Sequence, residues 1–232
     1  GDVKYSVADE SLVPDMAFLV PEFLGSLTSR TMASSGADAL CQAIESYWSI
    51  HSTDESRELA REAMVCVFGV LRDALQTRTP ENLRRLMEGA HLAGRAINLT
   101  KTTAPHAVSY AFTTQFGVCH GHAVSLTLPS LMRYNDLVAN ADVLDARGVE
   151  FVRARLSEIA TFLGAESVMG CADLLDQWFA DCGLCRTLRE VGLTSEADVN
   201  RIVLHGFNPQ RVNNNPRRLT ENALKAMLLE LM

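Results

Sequence analysis

The sequence has few aromatic residues, no long apolar run and no excess of basic side chains, and each absence excludes a class of protein. Phe, Trp and Tyr make up 6% of the 232 residues, and Asp and Glu outnumber Lys and Arg by 28 to 21. No basic stripe with interleaved aromatic residues is present, which argues against a nucleic-acid partner. No segment is apolar over the length of a membrane span, and the start lacks the layout of a signal peptide. We therefore expect a cytoplasmic protein that binds neither nucleic acid nor membranes.

The six cysteines lack the density and regular spacing of a disulfide framework, which favours a reduced compartment. Cys182 and Cys185 form a C-x-x-C pair, for which redox and zinc roles are both conceivable. No second pair accompanies them and no strand–helix context surrounds them. Buried structural thiols are therefore the favoured interpretation.

Most of the chain has the apolar spacing of helices, and Leu, Ala, Val and Met supply most of its apolar content. We predict a mainly α fold built as a helical bundle. Ser52 to Glu55 is typical of a capping box, and Thr79 before Pro80 is typical of a helix start. The predicted helices cover residues 29–49, 52–76, 80–97, 105–115, 121–139, 149–163, 170–182, 184–191, 195–204 and 220–231.

The first 25 residues differ from the rest. Residues 3–7 alternate apolar and polar, and residues 16–20 are a short apolar run bounded by prolines, so both are predicted to be strands. Two strands cannot bury a face by themselves. We expect residues 1–25 to be a strand segment of a nucleotide-binding domain outside this chain, with an exposed strand pair over the helices as the alternative. Residues 26–232 are predicted to be an all-helical, metal-binding catalytic domain.

Four side chains with metal-binding donor atoms follow one another along the helical part. Asp38 and Gln42 are four residues apart, which places them on one face of a helix, and His106 and His120 follow later. Such a set can surround a divalent cation and leave a position open for substrate. As alternatives, Asp38 would cap a helix in the segment from Ser35, and each histidine would be an ordinary core or surface residue. The order of the four donors favours a catalytic metal site.

Other polar side chains stand near these donors in the sequence. Glu45 shares the helix face of Asp38 and is predicted to hydrogen-bond a ligand, with a solvated surface position as the alternative. Lys101 and Thr102 place a cation and a hydroxyl directly before a helix start. That composition suits an anion site, and a polar capping loop is the alternative. His122 is a candidate proton donor, unless it is simply an exposed histidine.

Residues 35–47, the spacing of the two later histidines and the Gly121 that follows resemble the iron-containing (group III) alcohol dehydrogenase family. The resemblance covers essentially the whole chain. It implies the metal-binding helical domain of the dehydroquinate synthase-like fold, which is the C-terminal domain of that family. The family's ligands are an Asp, a His four residues later and two further His. The corresponding positions here are Asp38, Gln42, His106 and His120.

The chain departs from the family pattern in several respects. Gln42 replaces the usual histidine ligand, Tyr110 stands where many members have a further histidine, and Cys119 stands where proline is usual. The family binds NAD(P) mainly through an N-terminal half with a glycine-rich phosphate loop, and these 232 residues contain no such loop. The resemblance therefore implies a C-terminal fragment that is inactive by itself.

Residues 101–110, residues 116–122 and the late Asn-Asn-Pro-Arg-Arg are similar to the phosphonoacetaldehyde reductase branch of this family. This implies NAD(P)H-linked reduction of a small anionic aldehyde at Fe²⁺ or Zn²⁺, with Lys101, Thr102 and Tyr110 binding the substrate. Water, Tyr110 or His122 would deliver the proton. We expect a small-molecule aldehyde or alcohol as substrate and a homo-oligomer, in the simplest case a dimer. The alternatives are a polyol or sugar-acid dehydrogenase of the same family and a metal-free helical interaction module.

Overall fold

The computed structural model describes residues 9–12 and 14–232, and in this part of the chain it is built from helices and their connections. Two 3-10 helices come first, at Glu10–Leu12 and Pro21–Ser26. The α-helices that follow are α1 (Ser29–Trp48), α2 (Asp54–Gln76), α3 (Pro80–Thr100), α4 (Ala104–Phe116), α5 (His120–Asp136), α6 (Val149–Leu163), α7 (Val168–Asp181), α8 (Glu196–Gly206), α9 (Pro209–Val212) and α10 (Glu221–Glu230). None of these described helices combines the length and apolar character needed to cross a bilayer.

The predicted mainly α fold is confirmed. All predicted helices but one are present, with ends that differ from the prediction by three residues or fewer. The short helix α9 was not predicted, since four residues leave no periodic pattern to detect. The β-structure among the described residues is one isolated antiparallel bridge, between Val143 and Arg217.

Residues 184–191 form turns, so the helix predicted there is wrong. Glu190 Oε2 accepts hydrogen bonds from the backbone N–H (2.9 Å) and the hydroxyl (2.8 Å) of Thr187. The backbone N–H of Leu188 donates to the carbonyl of Leu231 (2.8 Å), and the Leu188 side chain is fully buried. Local side-chain bonds and a tertiary contact thus engage amides that a helix would need, which stabilises turns instead.

The strand predicted at residues 16–20 is not formed, and the one predicted at 3–7 lies outside the described residues. A strand needs a neighbour to pair with its backbone groups, and the described residues offer none here. The segment is strongly exposed, with Phe18 at 82% and Met16 at 68% of their full accessibility.

The capping box that opens α2 lies one residue later than predicted. Thr53 Oγ1 accepts from the backbone N–H of Ser56 (3.1 Å), and Ser56 Oγ accepts from that of Thr53 (2.9 Å). The predicted pair, Ser52 and Glu55, does not form the box. Instead, Arg147 Nη1 donates to the carbonyl oxygen of Ser52 (2.5 Å), which ties this residue to the loop before α6.

Helix α1 is the central helix, because 14 of its 20 residues are buried. One apolar cluster joins it to α2, α3, α6 and α7 around Trp48 and Trp178, and a second joins α4, α8 and α10 around Phe112. Helix α5 contributes to both clusters, with Leu128 in the first and Leu126 in the second. Helices α1, α4 and α5 therefore meet where the two clusters adjoin.

The start of α5 rests directly on α1. A Cβ atom at Gly121 would lie 1.9 Å from the carbonyl oxygen of Ser34 and 2.8 Å from Cβ of Asp38, closer than real Cβ atoms approach. Glycine is therefore required for this contact. The close approach brings His120, the first residue of α5, beside Asp38.

All six cysteines are free. Cys182 is buried, and this burial raises the pKa of its thiol to about 12. Such a thiol stays protonated and unreactive at neutral pH, which agrees with the interpretation of Cys182 as a structural residue.

Candidate metal centre

Asp38 and Gln42 lie one turn apart in the interior of α1. Asp38 is far from the helix start, where Thr28 Oγ1 accepts from the backbone N–H of Thr31, so the alternative of Asp38 as a capping acid is wrong. Gln42 Nε2 donates a hydrogen bond to Asp38 Oδ2 (2.8 Å). This bond holds one carboxylate oxygen and leaves Oδ1 directed towards α4 and α5.

His106 is in the first turn of α4 and is held from both sides by carboxylates. Its Nδ1 faces Oε1 of Glu45, and its Nε2 lies 3.2 Å from Oδ1 of Asp38. Glu45 is completely buried, and its Oε2 accepts from the backbone N–H (2.7 Å) and hydroxyl (2.9 Å) of Thr103. Because Nδ1 donates to Glu45, the lone pair of a neutral imidazole is placed on Nε2. The solvated position considered for Glu45 is therefore wrong.

His120 completes the group from α5. Its Nε2 lies 3.8 Å from Oδ1 of Asp38, and its ring centroid is 5.4 Å from that of His106. Its Nδ1 lies 3.3 Å from Ser109 Oγ, which itself donates to the carbonyl oxygen of His106 (2.7 Å). Ser109 therefore accepts from Nδ1–H, which leaves the lone pair of His120 on Nε2, available to a metal. No sequence pattern pointed to Ser109.

One ligand atom each from Asp38, His106 and His120 lies within 4.8 Å of the others. Oδ1 of Asp38 and Nε2 of His106 are buried and make no hydrogen bond despite their 3.2 Å separation. Buried polar atoms without a partner are costly, and a divalent cation between them would satisfy both. One carboxylate and two imidazoles suit iron or zinc, so the residues present fit the metal that the sequence implies.

The charges around His106 favour a positive charge at the centre of the group. Burial disfavours the protonated imidazole, but the Glu45 and Asp38 carboxylates outweigh burial and raise the pKa of His106 to about 10. Without a metal, a proton on His106 therefore supplies the positive charge that two close carboxylates require.

A cleft of about 330 Å³ opens beside the ligands. It is lined by polar and small residues of α1 and of the start of α5, namely Thr31, Ser34, Ser35, Asp38, Cys119, His120 and Gly121. The cleft is large enough for a small molecule, and it reaches Asp38 and His120 of this group.

The residues predicted to bind the substrate lie around α4. Lys101 is exposed, and its backbone (φ 60°, ψ 169°) makes it the one non-glycine residue of positive φ among those described. The carbonyl of Thr102 accepts from Nδ2 of Asn214 (3.0 Å). Tyr110 lies one helical turn beyond His106, with its ring 5.6 Å from the ring of His120.

His122 is not brought into this group. Its Nε2 donates to the carbonyl oxygen of Cys185 (2.8 Å), and its backbone N–H donates to Ser34 Oγ (3.2 Å). The side chain is buried rather than exposed, and burial lowers the pKa of its imidazole. A second residue that sequence reasoning missed is Arg211, whose guanidinium carbon stands 4.6 Å from the centroid of Tyr110.

Three helices thus direct a carboxylate and two imidazoles to one point, an arrangement that suits a metal ion. Residues 32–232 match the model of the Fe-containing alcohol dehydrogenase family, C-terminal, and the chain belongs to that family. The resemblance stated from the sequence is thereby confirmed.

Curated relatives of known name support the same family. A phosphonoacetaldehyde reductase of Streptomyces viridochromogenes is 35% identical over 229 residues, which are 98% of this chain and 56% of that protein. A 1-propanol dehydrogenase of Salmonella typhimurium is 29% identical over 99% of this chain and 62% of its own length. The chain spans about half the length of the curated relatives it matches.

Solved structures have the same fold. A sulfoacetaldehyde reductase from Bifidobacterium kashiwanohense, crystallised with NAD⁺, superposes with a TM-score of 0.79 and is 30% identical, covering 91% of this chain and 52% of that one. An iron-containing alcohol dehydrogenase from Thermococcus thioreducens superposes with a TM-score of 0.84 at 22% identity, covering 97% and 56% of the two chains. The second likeness concerns the fold alone.

Proposed function

We propose that this chain is the metal-binding part of an NAD(P)H-linked reductase for a small anionic aldehyde such as phosphonoacetaldehyde. The observation that supports this most is the meeting of Asp38, His106 and His120, two of which present buried ligand atoms without a hydrogen-bond partner. The named relatives that reduce phosphonoacetaldehyde and sulfoacetaldehyde support the substrate class, since both compounds are short aldehydes with a tetrahedral anionic group.

Asp38, His106 and His120 would hold the metal, iron or zinc, and Gln42 would be the fourth donor. A divalent cation there supplies Lewis acidity, which makes a carbonyl carbon a better hydride acceptor. Glu45 and Ser109 keep the two imidazoles oriented through their Nδ1 atoms. For this role the Gln42 side-chain amide would rotate, so that its oxygen rather than Nε2 faces the metal.

Lys101, Thr102 and Tyr110 are proposed to bind the substrate. Reduction transfers a hydride from the nicotinamide to the carbonyl carbon, and the alkoxide oxygen then takes up a proton. Tyr110, beside His120, is better placed to pass this proton from its hydroxyl than His122, whose Nε2 is engaged by Cys185. Tyr110→Phe should slow turnover, because it removes the hydroxyl that would donate the proton. His122→Gln tests the other candidate proton donor.

Nicotinamide binding is proposed to require residues outside this chain. The 232 residues contain no glycine-rich phosphate loop, and we propose that residues 1–25 belong to a nucleotide-binding domain while 26–232 form the metal-binding domain. The isolated chain should then oxidise no NAD(P)H with any aldehyde, whereas the complete protein should oxidise NAD(P)H with its aldehyde substrate. Turnover by the isolated chain would show that these domain boundaries are wrong.

Steady-state assays of the complete protein with phosphonoacetaldehyde, propanal, glycerol and simple alcohols would test the substrate class. We expect the highest kcat/KM for phosphonoacetaldehyde. A preference for glycerol or simple alcohols would contradict the proposed phosphonate substrate. It would still agree with a dehydrogenase of this family. Metal analysis of the wild type beside Asp38→Ala and His120→Ala tests the centre itself, because a metal-free helical module would show no difference between them.

The charge of Lys101 gives a narrower test of substrate binding. Lys101→Ala should weaken transition-state binding of phosphonoacetaldehyde by about 1.5–3 kcal/mol, typical of a charge-assisted contact, and barely affect propanal. Lys225→Ala is the matched control, since Lys225 of α10 forms an ion pair with Glu196 of α8 and is not among the residues proposed to bind the substrate. An equal loss of transition-state binding for the charged and the neutral aldehyde would mean that Lys101 supports the fold and does not bind the anionic group.

A further inference from the structure

Arg211 places a positively charged guanidinium close to the proposed metal ligands. Its guanidinium carbon lies 4.6 Å from the ring centroid of Tyr110, and that ring lies 5.6 Å from the ring of His120. The guanidinium carbon is therefore no more than about 10 Å from the centroid of His120. Arg211 follows His106 by about a hundred residues in the sequence, so no local pattern relates the two.

The backbone around Arg211 is held in place from two sides. Its neighbour Val212 is buried in the apolar cluster that contains α4. The carbonyl of Arg211 accepts from the backbone N–H of Asn214 (3.2 Å), and Nδ2 of Asn214 donates to the carbonyl of Thr102 (3.0 Å). The side chain of Arg211 thus starts from a fixed position between α4 and the segment that precedes it.

A guanidinium over an aromatic ring uses its face for the ring contact and keeps N–H groups at its edge for hydrogen bonds. Those edge groups form a planar fork that matches two oxygens of a phosphonate or sulfonate. We propose that Arg211 binds the anionic end of the substrate and thereby determines the preference for anionic over neutral aldehydes. This inference rests on the proposed reductase function.

The dimensions agree with a two-carbon aldehyde. With bonds of about 1.5 Å, its carbonyl oxygen and the oxygens of its tetrahedral group are roughly 4–5 Å apart. A hydrogen bond of about 2.8 Å to Arg211 extends this reach to roughly 7–8 Å, which lies within the limit of about 10 Å between His120 and Arg211.

The test uses the complete protein and its Arg211→Gln variant. We expect kcat/KM for phosphonoacetaldehyde to fall about 10- to 100-fold, mainly through KM, as for the loss of one charge-assisted contact. Propanal should change by less than about threefold, because it has no anionic group for Arg211 to bind. Calorimetric binding of 2-hydroxyethylphosphonate, the product, should weaken by the same factor as kcat/KM and gives a readout independent of turnover.

Two further variants separate the proposed role from a structural one. Arg201 also stands over an aromatic ring of α4, with its guanidinium carbon 5.2 Å from the centroid of Phe116, and Arg201→Gln should leave both aldehydes unchanged. Arg211→Lys keeps the charge without the planar fork and should give an intermediate loss for phosphonoacetaldehyde. Thermal melts of each variant confirm that it is folded.

The outcomes distinguish this inference from the function on which it rests. If the wild type reduces no aldehyde with NADH or NADPH, the proposed function fails and the role of Arg211 with it. If the wild type prefers phosphonoacetaldehyde but Arg211→Gln affects both aldehydes equally, the role of Arg211 is overturned and the reductase remains. The same holds if Lys101→Gln lowers the preference while Arg211→Gln leaves it unchanged.

Discussion

Glu45 is the single residue on which the orientation of the proposed metal ligands depends most. Both of its oxygens act as acceptors, one for His106 Nδ1 and the other for the backbone and hydroxyl of Thr103. Its carboxylate therefore links the start of α4 to α1 and fixes which nitrogen of His106 is available. Trp48 Nε1 adds a hydrogen bond to Thr103 Oγ1 (3.0 Å), so both the Glu45 carboxylate and the Thr103 hydroxyl have partners although they are buried.

Glu45→Gln should weaken metal binding about 10- to 100-fold, the usual effect of changing a partner of a ligating histidine. The glutamine amide has nearly the same size as the Glu45 carboxylate, but its NH₂ group is a donor. It would face either His106 Nδ1 or Thr103, whose groups are also donors. Competition with a chelator of known affinity measures the change. Glu88→Gln, on the exposed side of α3, is the control and should have no effect. Equal affinities of wild type and Glu45→Gln would contradict this account of the site.

Gln42 is the weakest proposed donor, and replacing it by the usual histidine tests whether position 42 reaches the metal. Gln42→His should bind the metal at least about tenfold more tightly, because imidazole is the stronger donor for iron and zinc. Gln42→Leu should bind it less tightly, since Asp38 Oδ2 then loses its hydrogen bond. The metal content that remains after dialysis against a chelator gives the comparison. No change in Gln42→His would exclude position 42 from the coordination sphere.

At the scale of the elements, the site depends on how closely α5 approaches α1. Gly121 should be intolerant of substitution, because a Cβ there would strike the backbone of Ser34 and cannot be relieved by a rotamer change. Gly121→Ala should lower the free energy of unfolding by about 1–3 kcal/mol and also weaken metal binding, since His120 would shift. Chemical denaturation and metal titration measure the two effects.

Two other glycines provide graded controls for that substitution. A Cβ at Gly36 would meet the flexible end of Leu71 at 2.5 Å, and Gly36→Ala should cost less than Gly121→Ala. A Cβ at Gly94 meets nothing within 4 Å, so Gly94→Ala should stabilise α3 by roughly 0.5–1 kcal/mol. If Gly121→Ala behaved like Gly94→Ala, the close contact between α1 and α5 would be disproved.

The junction between α3 and α4 contains backbone strain next to the proposed substrate site. Lys101 has φ and ψ values that are nearly exclusive to glycine, at a cost of about 1–3 kcal/mol. Lys101→Gly should therefore raise the free energy of unfolding by about 1 kcal/mol and, under the proposed function, lower the preference for anionic aldehydes. Lys101→Ala removes the same charge but keeps the strain, so its stability should stay near that of the wild type in urea denaturation. A destabilised Lys101→Gly would show that the backbone at position 101 is not strained.

At the scale of the whole molecule, a metal would connect the two apolar clusters. Asp38 extends from α1 in the first cluster, His106 from α4 in the second, and His120 from α5, which contributes to both. A cation bound by all three binds only the folded chain, so it stabilises the assembled bundle as a unit.

Adding Zn²⁺ or Fe²⁺ should accordingly raise Tm, and a chelator should reverse the change. At a free metal concentration one hundred times Kd the stabilisation is about 2.7 kcal/mol. Asp38→Asn should abolish the response, whereas Asp73→Asn, an exposed residue of α2, should preserve it. Calorimetric melts with and without metal provide the measurement. A metal response that survives in Asp38→Asn would place the ion elsewhere.

Local sequence determined the helices and the pairing of Asp38 with Gln42. Helical periodicity and an i,i+4 spacing involve neighbours along the chain, so they can be read without knowing the tertiary structure. The same reasoning placed a helix at 184–191, where the contact of Leu188 with the distant Leu231 decides the conformation instead.

Tertiary structure alone decided which side chains surround the proposed metal ligands. Glu45 and His106 are 61 residues apart, and Tyr110 and Arg211 are separated by an even longer stretch of chain. His122 is only two residues from His120, yet it points to Cys185 because consecutive helical side chains project in different directions. The donor types could be named from the sequence, but their partners depend on helix packing, which brings together residues that no local spacing relates.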